Sequence, residues 1–191
     1  MADVSEASTL EEKIGLLRTL FGGRSDVYAQ RWENPRTGKS GWSPAVRGGW
    51  SKKRPKPADY LPLTDEVLAA HLRGDATVGI YPLQPGDTCT LLACDFDGGS
   101  WALDALAFLD QCHDAGVPAV LERSRSGDGA HVWVFFEEAV SASTGRAMGS
   151  GLLRRAMTTR AELDLASYDR FFPSQDFMPK AVGPGSKHRW C

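Results

Sequence analysis

The chain has 191 residues, of which 42% are hydrophobic and 24% charged, proportions that fit a soluble globule with one substantial core and exclude disorder throughout. Its formal charge of -2 gives no whole-molecule attraction to nucleic acid or to an anionic membrane, so any such binding has to come from a local patch. Residues 1–10 carry no basic stretch followed by an apolar one, no apolar run approaches the length of a membrane span, and Cys89, Cys94, Cys112 and Cys191 form no C-x-x-C pair. A reduced, cytoplasmic protein with no membrane association is expected.

Ser8 or Thr9, with Glu11 or Glu12 three residues on, makes a capping box, and Leu10, Ile14, Leu17 and Phe21 then recur at helical spacing up to Gly22-Gly23. The first element is therefore an amphipathic helix. Residues 26–32 alternate as a short strand, whereas residues 33–57 are rich in Gly, Pro, Lys and Arg without periodicity and read as a long basic loop. In it Lys39, Arg47, Lys52, Lys53 and Arg54 surround Trp50, a mixture of cations and an aromatic found on single-strand binding surfaces; a solvated linker is the other reading. Thr64 caps a second helix ending at Gly74, residues 78–83 read as a strand, and Gln84-Pro85-Gly86-Asp87 as the turn of a hairpin.

The apolar run Leu91-Leu92-Ala93-Cys94 ends in Asp95-Phe96-Asp97, which predicts a buried strand with two carboxylates on one face, about 7 Å apart, and Cys94 and Phe96 on the other. Paired carboxylates at a strand end suit divalent-metal phosphoryl chemistry; a capped turn is the plainer alternative. Ser100 caps a helix reaching Gly116, residues 120–123 form a strand, residues 124–130 a glycine-bearing turn, residues 131–136 another strand, and Ser143 opens a last helix. The order strand, helix, strand, strand, helix from residue 87 onward is most of a split β-α-β unit, so an α+β, RRM-like fold is expected. A right-handed crossover places the third strand antiparallel between the other two, bringing His131 beside Asp95 and Asp97.

In the turn, Gly127 and Gly129 can present backbone amides to an anion, and Arg123, Arg125 and Ser126 add donors; His131 stands where it can contact a triphosphate. Asp95-Phe96-Asp97, Gly129-Ala130-His131 and Tyr168-Asp169 resemble the three motifs of the archaeo-eukaryotic primase superfamily. The longer runs from Asp26 to Glu33, Gly38 to Pro44, Leu61 to Asp65, Glu122 to Phe136 and Tyr168 to Asp176 resemble the primase domain of TOTE conflict systems. This resemblance, which extends to about Pro179, implies a primase-polymerase performing nucleotidyl transfer in a system directed against mobile elements. It implies two metal ions, Mg2+ or Mn2+, held by Asp95, Asp97 and a third carboxylate, Asp169 or else Asp176, with His131 among the catalytic residues. The partners it implies are nucleoside triphosphates, single-stranded or primed nucleic acid, and a helicase or nuclease of the same system.

Two departures stand out. Where the family often carries a cysteine knuckle, this chain has Ser51 to Pro57, so no zinc site is expected; and residues 181–191 lack the apolar strand that follows Lys180 in the family, so the closing strand is expected to be missing, as in a truncated chain. The expected organisation is an α/β extension over 1–86, an RRM-like catalytic core over 87–180 and an irregular tail over 181–191. The 78–83 hairpin is expected to cover the edge of the Asp-x-Asp strand. Two other readings compete: an inactive single-strand-binding remnant using Trp133 and Phe135, and a haloacid-dehalogenase-type phosphatase with Asp95 as nucleophile, which would need a parallel sheet.

Overall fold

The computed structural model describes residues 3–49, 56, 59–159 and 167–178, and the chain divides into two compact units, Met1–Tyr81 and Pro82–Met178. The predicted cations Lys52, Lys53 and Arg54, with Trp50 and the tail 181–191, lie outside the described residues. Among the described residues no helix is long and apolar enough to cross a membrane.

In the first unit, α1 (Leu10–Leu20) starts at Thr9, which takes the capping box with Glu12. The Thr9 hydroxyl accepts from the Glu12 N–H at 3.2 Å, and the Glu12 carboxylate accepts from the Thr9 N–H at 2.8 Å. Strand β1 (Ala29–Glu33) lies between β2 (Ser40–Pro44) and β3 (Val78–Gly79), antiparallel to both, and α2 (Asp65–Leu72) buries Leu68 and Ala69. Strand β2 corrects the expectation of an unbroken loop over 33–57. The Asn34 side chain accepts from the Arg36 N–H, the Asn34 carbonyl accepts from the Gly38 N–H at 2.9 Å, and Gly38 at φ 65° reverses the chain. Ser-Gly-Trp-Ser-Pro offers no apolar alternation to announce a strand. What it offers is Gly41, where a Cβ would lie 2.8 Å from the Trp32 ring opposite.

The strand expected over 78–83 is also shorter and differently placed. Val78–Gly79 pairs with β1 rather than with the Asp-x-Asp strand. Pro82 follows soon after and has no N–H to donate to a ladder.

The second unit comprises β4 (Thr88–Asp97), α3 (Trp101–Asp114), β5 (Ala119–Arg123), β6 (Gly129–Ser141), α4 (Ala142–Thr159) and β7 (Tyr168–Phe172), with its four strands in the order β5-β6-β4-β7. Every neighbouring pair is antiparallel, so β4 and β5 are parallel with β6 between them, and β6 and β7 are parallel with β4 between them. Two split β-α-β units interlock. This is the α+β, RRM-like architecture expected, with two corrections. The edge of β4 is occupied by β7, from Ala93↔Phe172 to Phe96↔Tyr168. The fourth strand of the sheet is thus present before residue 180, and the expected gap at this edge does not exist. The parallel neighbours that a dehalogenase-type site requires are absent from both sides of β4.

Alternation along β4 sends Leu92, Cys94 and Phe96 to one face, where they pack with Phe108 and Cys112 of α3, Val132 and Val134 of β6, Leu152 and Leu153 of α4, and Phe171 of β7. Phe96 has no exposed surface and tilts onto Phe108 with ring centroids 5.8 Å apart; removing such a ring costs about 3–5 kcal/mol. Helix α4 comes close enough to complete this core because residue 149 is Gly: a Cβ there would lie 2.7 Å from Leu92 and 2.9 Å from Phe171. Its cap is Ser141, whose hydroxyl accepts from the Thr144 N–H at 3.1 Å, and not Ser143 as the sequence suggested. Strand β6 runs on past Phe136 to reach it.

Candidate metal centre and nucleotide site

The alternation that buries Cys94 and Phe96 projects Asp95 and Asp97 from the face opposite the helices. Register then sets their neighbours. His131 of β6 stands opposite Asp95 and Gly129 opposite Asp97, while Glu122 of β5 faces His131 and Arg170 of β7 faces Asp95. A row of four ionisable residues, Glu122, His131, Asp95 and Arg170, therefore crosses the sheet. The His131 Nε2 lies 3.5 Å from Asp95 Oδ1 and its Nδ1 lies 3.4 Å from Glu122 Oε2. Glu122 Oε2 also accepts from Trp133 Nε1 at 2.8 Å.

Asp169 reaches the same place through an irregularity. The β4–β7 ladder pairs Asp95 with Arg170 and Phe96 with Tyr168, which leaves Asp169 as the extra residue of a bulge. In a regular ladder it would face Phe96 and the core. With the bulge, one oxygen from each of Asp95, Asp97 and Asp169 falls within 4.8 Å of the others, the one such group of metal-capable side chains among the described residues. Arg170 donates through Nε and Nη2 to Asp169 Oδ2, at 2.6 and 2.5 Å. Asp176, the other candidate, is instead paired with Arg146 Nη1 at 2.5 Å.

Burial raises the Asp95 pKa to about 6, with the nearby Asp97 and Asp169 adding to the rise and His131 and Arg170 opposing it. For His131, burial works against the imidazolium, but Glu122, Asp95 and Asp97 outweigh it and leave its pKa above the ordinary histidine value. Three oxygen donors with no thiolate among them suit a hard divalent cation such as Mg2+ or Mn2+.

The turn between β5 and β6 is closed by the Ser124 N–H donating to the Gly129 carbonyl and the Gly127 N–H donating to the Ser124 carbonyl, both at 2.9 Å, with Gly127 at φ 83°. Arg123 donates to the Gly127 carbonyl through Nε and Nη2, at 3.0 and 2.9 Å, and lies over the Trp101 ring. It braces the turn from within. Ser126 Oγ accepts from the Asp128 N–H at 3.3 Å, and Arg125 is exposed. Gly129 is needed for space: a Cβ there would stand 2.8 Å from the Phe96 carbonyl and closer still to Asp97 Oδ1. Lys39 and Arg47 belong to the first unit, both exposed, Lys39 at the end of the β1–β2 turn and Arg47 with its backbone N–H donating to the Asp59 carbonyl.

Glu122 and Arg170 carry no motif signal of their own. Glu122 could have been found by counting back across the 124–129 turn from His131; Arg170 could not, because its position depends on the bulge.

Residues 12–185 match the family described as TOTE conflict system, Archaeo-Eukaryotic Primase domain. Among solved structures, the polymerase domain from Mycobacterium tuberculosis ligase D in complex with DNA is similar at a TM-score of 0.51 and 15% identity, over 80% of this chain and 62% of that one. At that identity the likeness is one of fold, and this chain spans less than two thirds of the length of its neighbour. No curated protein matches. With the family match running over nearly its whole length, the chain belongs to the archaeo-eukaryotic primase domains of TOTE conflict systems.

Proposed function

We propose that this domain adds nucleotides to the end of a nucleic-acid strand by metal-dependent nucleotidyl transfer, with Asp95, Asp97 and Asp169 holding the metal. The observation that supports this most is the convergence of three carboxylate oxygens within 4.8 Å at the end of β4 and the bulge of β7. Bound Mg2+ or Mn2+ would neutralise charge on the reacting phosphate and align the attacking hydroxyl and leaving pyrophosphate. Asp95, with its pKa at about 6, is ionised and ready to act as a ligand at neutral pH. His131 keeps one ring nitrogen toward Glu122 and the other toward Asp95, and serves as a donor to the incoming triphosphate. Arg125, Ser126 and the backbone of Gly127 and Gly129 receive its phosphates, on a turn that Arg123 keeps rigid. Lys39 and Arg47, together with Lys52, Lys53 and Arg54, contact the strand.

In this reading the protein works in the cytoplasm, alongside a helicase or nuclease of the same system, against mobile elements. A binding remnant without chemistry is less well supported. Trp133, its aromatic platform, is only 7% exposed and its indole N–H is engaged by Glu122.

Extension of a primed template with labelled nucleotides and Mn2+ tests the proposal. The parent is expected to extend the primer, and Asp95→Ala with Asp97→Ala to lose at least about a thousandfold in rate while binding the strand within a few-fold of the parent. Equal extension by both would remove the carboxylates from the mechanism.

A further inference from the structure

Asp104 lies in the first turn of α3 on its buried face, with no exposed surface, among Ala105, Phe108 and Cys112. A carboxylate in such surroundings is costly unless it is held by donors. Its Oδ2 accepts from Ser100 Oγ at 2.5 Å and from Ser167 Oγ. Ser167 is itself buried, 3% exposed, and its carbonyl accepts the Asp97 N–H at 2.7 Å. It stands two residues before Asp169. One buried acid therefore reaches, through one serine, the strand end that carries Asp97 and the strand start that carries Asp169.

We propose that Asp104 is a positioning residue for the metal centre, fixing the spacing of Asp97 and Asp169 by locking Ser167 between them. The inference rests on the three carboxylates being metal ligands. The ladder between β4 and β7 has its last pair at Phe96 and Tyr168, just beyond the bulge. Outside it, the Asp97–Ser167 hydrogen bond continues the register, and Asp104 anchors that bond to α3, which is packed into the core through Phe108 and Cys112. The helix thereby acts as a rigid reference for both carboxylates. An apolar residue at 104 would fill the same volume but leave the Ser167 hydroxyl without this acceptor, and the bulge would be free to shift.

Mn2+ titration followed by the electron paramagnetic resonance signal of the free ion tests this, alongside melting curves of the same proteins. Asp104→Ala and Ser167→Ala are each expected to weaken Mn2+ binding at least tenfold, and Asp104→Asn, which keeps an acceptor oxygen, to recover most of it. Phe108→Leu, a loss of packing on the same helix, is expected to lower the melting temperature while binding Mn2+ like the parent. Should Asp104→Ala fail to fold, Ser167→Ala carries the test. Parent-like Mn2+ binding by Ser167→Ala, or an equal loss in Phe108→Leu, overturns the positioning role and leaves the metal reading standing. Failure of the parent itself to bind Mn2+ overturns both.

Discussion

Asp95 exposes 15% of its side chain, among His131, Asp97, Asp169 and Arg170, and its pKa of about 6 lies roughly two units above the ordinary carboxylate value. The folded, metal-free protein holds a proton there that the unfolded chain releases near pH 4, so stability falls as pH rises from about 4 to about 6 and the full penalty, about 3 kcal/mol, applies above that. Asp95→Asn removes the charge. In the presence of EDTA it is expected to melt higher than the parent at pH 7.5, by the equivalent of about 1–3 kcal/mol, with the gain gone at pH 4; a lower melting temperature at pH 7.5 would contradict the burial argument. Gly129 is the matching case for space. Its substitution by Ala drives a methyl group into the Phe96 carbonyl and Asp97, and a destabilisation of about 1–3 kcal/mol is expected by thermal melting. Mn2+ affinity should fall with it.

At the scale of elements, the site depends on two strands that the sequence discloses unequally. Strand β4 was legible because alternation is a property of the backbone: once Leu92, Cys94 and Phe96 are assigned to the core, Asp95 and Asp97 have only one face left. The place of His131 followed from the handedness of the crossover. The bulge in β7 was not legible, since a single extra residue leaves no periodic trace, and nothing in Tyr168–Phe172 announced that this strand would take the edge of β4. Strand β2 was missed because its pairing rests on a turn and on Gly41 beneath Trp32, not on apolar alternation. Asp104 did leave a sign, an acid on the same helical stripe as Ala105, Phe108 and Cys112, which only its serine partners explain. Helix α4 gives a test of packing at this scale. Gly149→Ala gains about 1 kcal/mol of helix propensity, but the new methyl meets Leu92 and the buried Phe171 ring, and overpacking of about 1–3 kcal/mol outweighs it. The variant is expected to unfold at lower denaturant concentration with an unchanged m-value, whereas a gain in midpoint would mean that α4 sits farther from the sheet.

For the whole molecule, a formal charge of -2 means that any bound strand has to be held by local cations and not by the overall field. If Lys39 and Arg47 each neutralise a phosphate, replacing both with Ala should lower the slope of log affinity against log salt for a single strand by about 1.4; an unchanged slope would place the strand elsewhere. The account nevertheless stands or falls at the carboxylates, where one unit's sheet gathers three acids and where burial, with the charges of Asp97 and Asp169, makes Asp95 costly to ionise without a cation. Direct Mn2+ titration of the parent, Asp95→Ala, Asp97→Ala and Asp169→Ala tests this most closely. The account predicts Mn2+ binding by the parent that weakens at least tenfold in each variant; binding that survives unchanged in all three would contradict it.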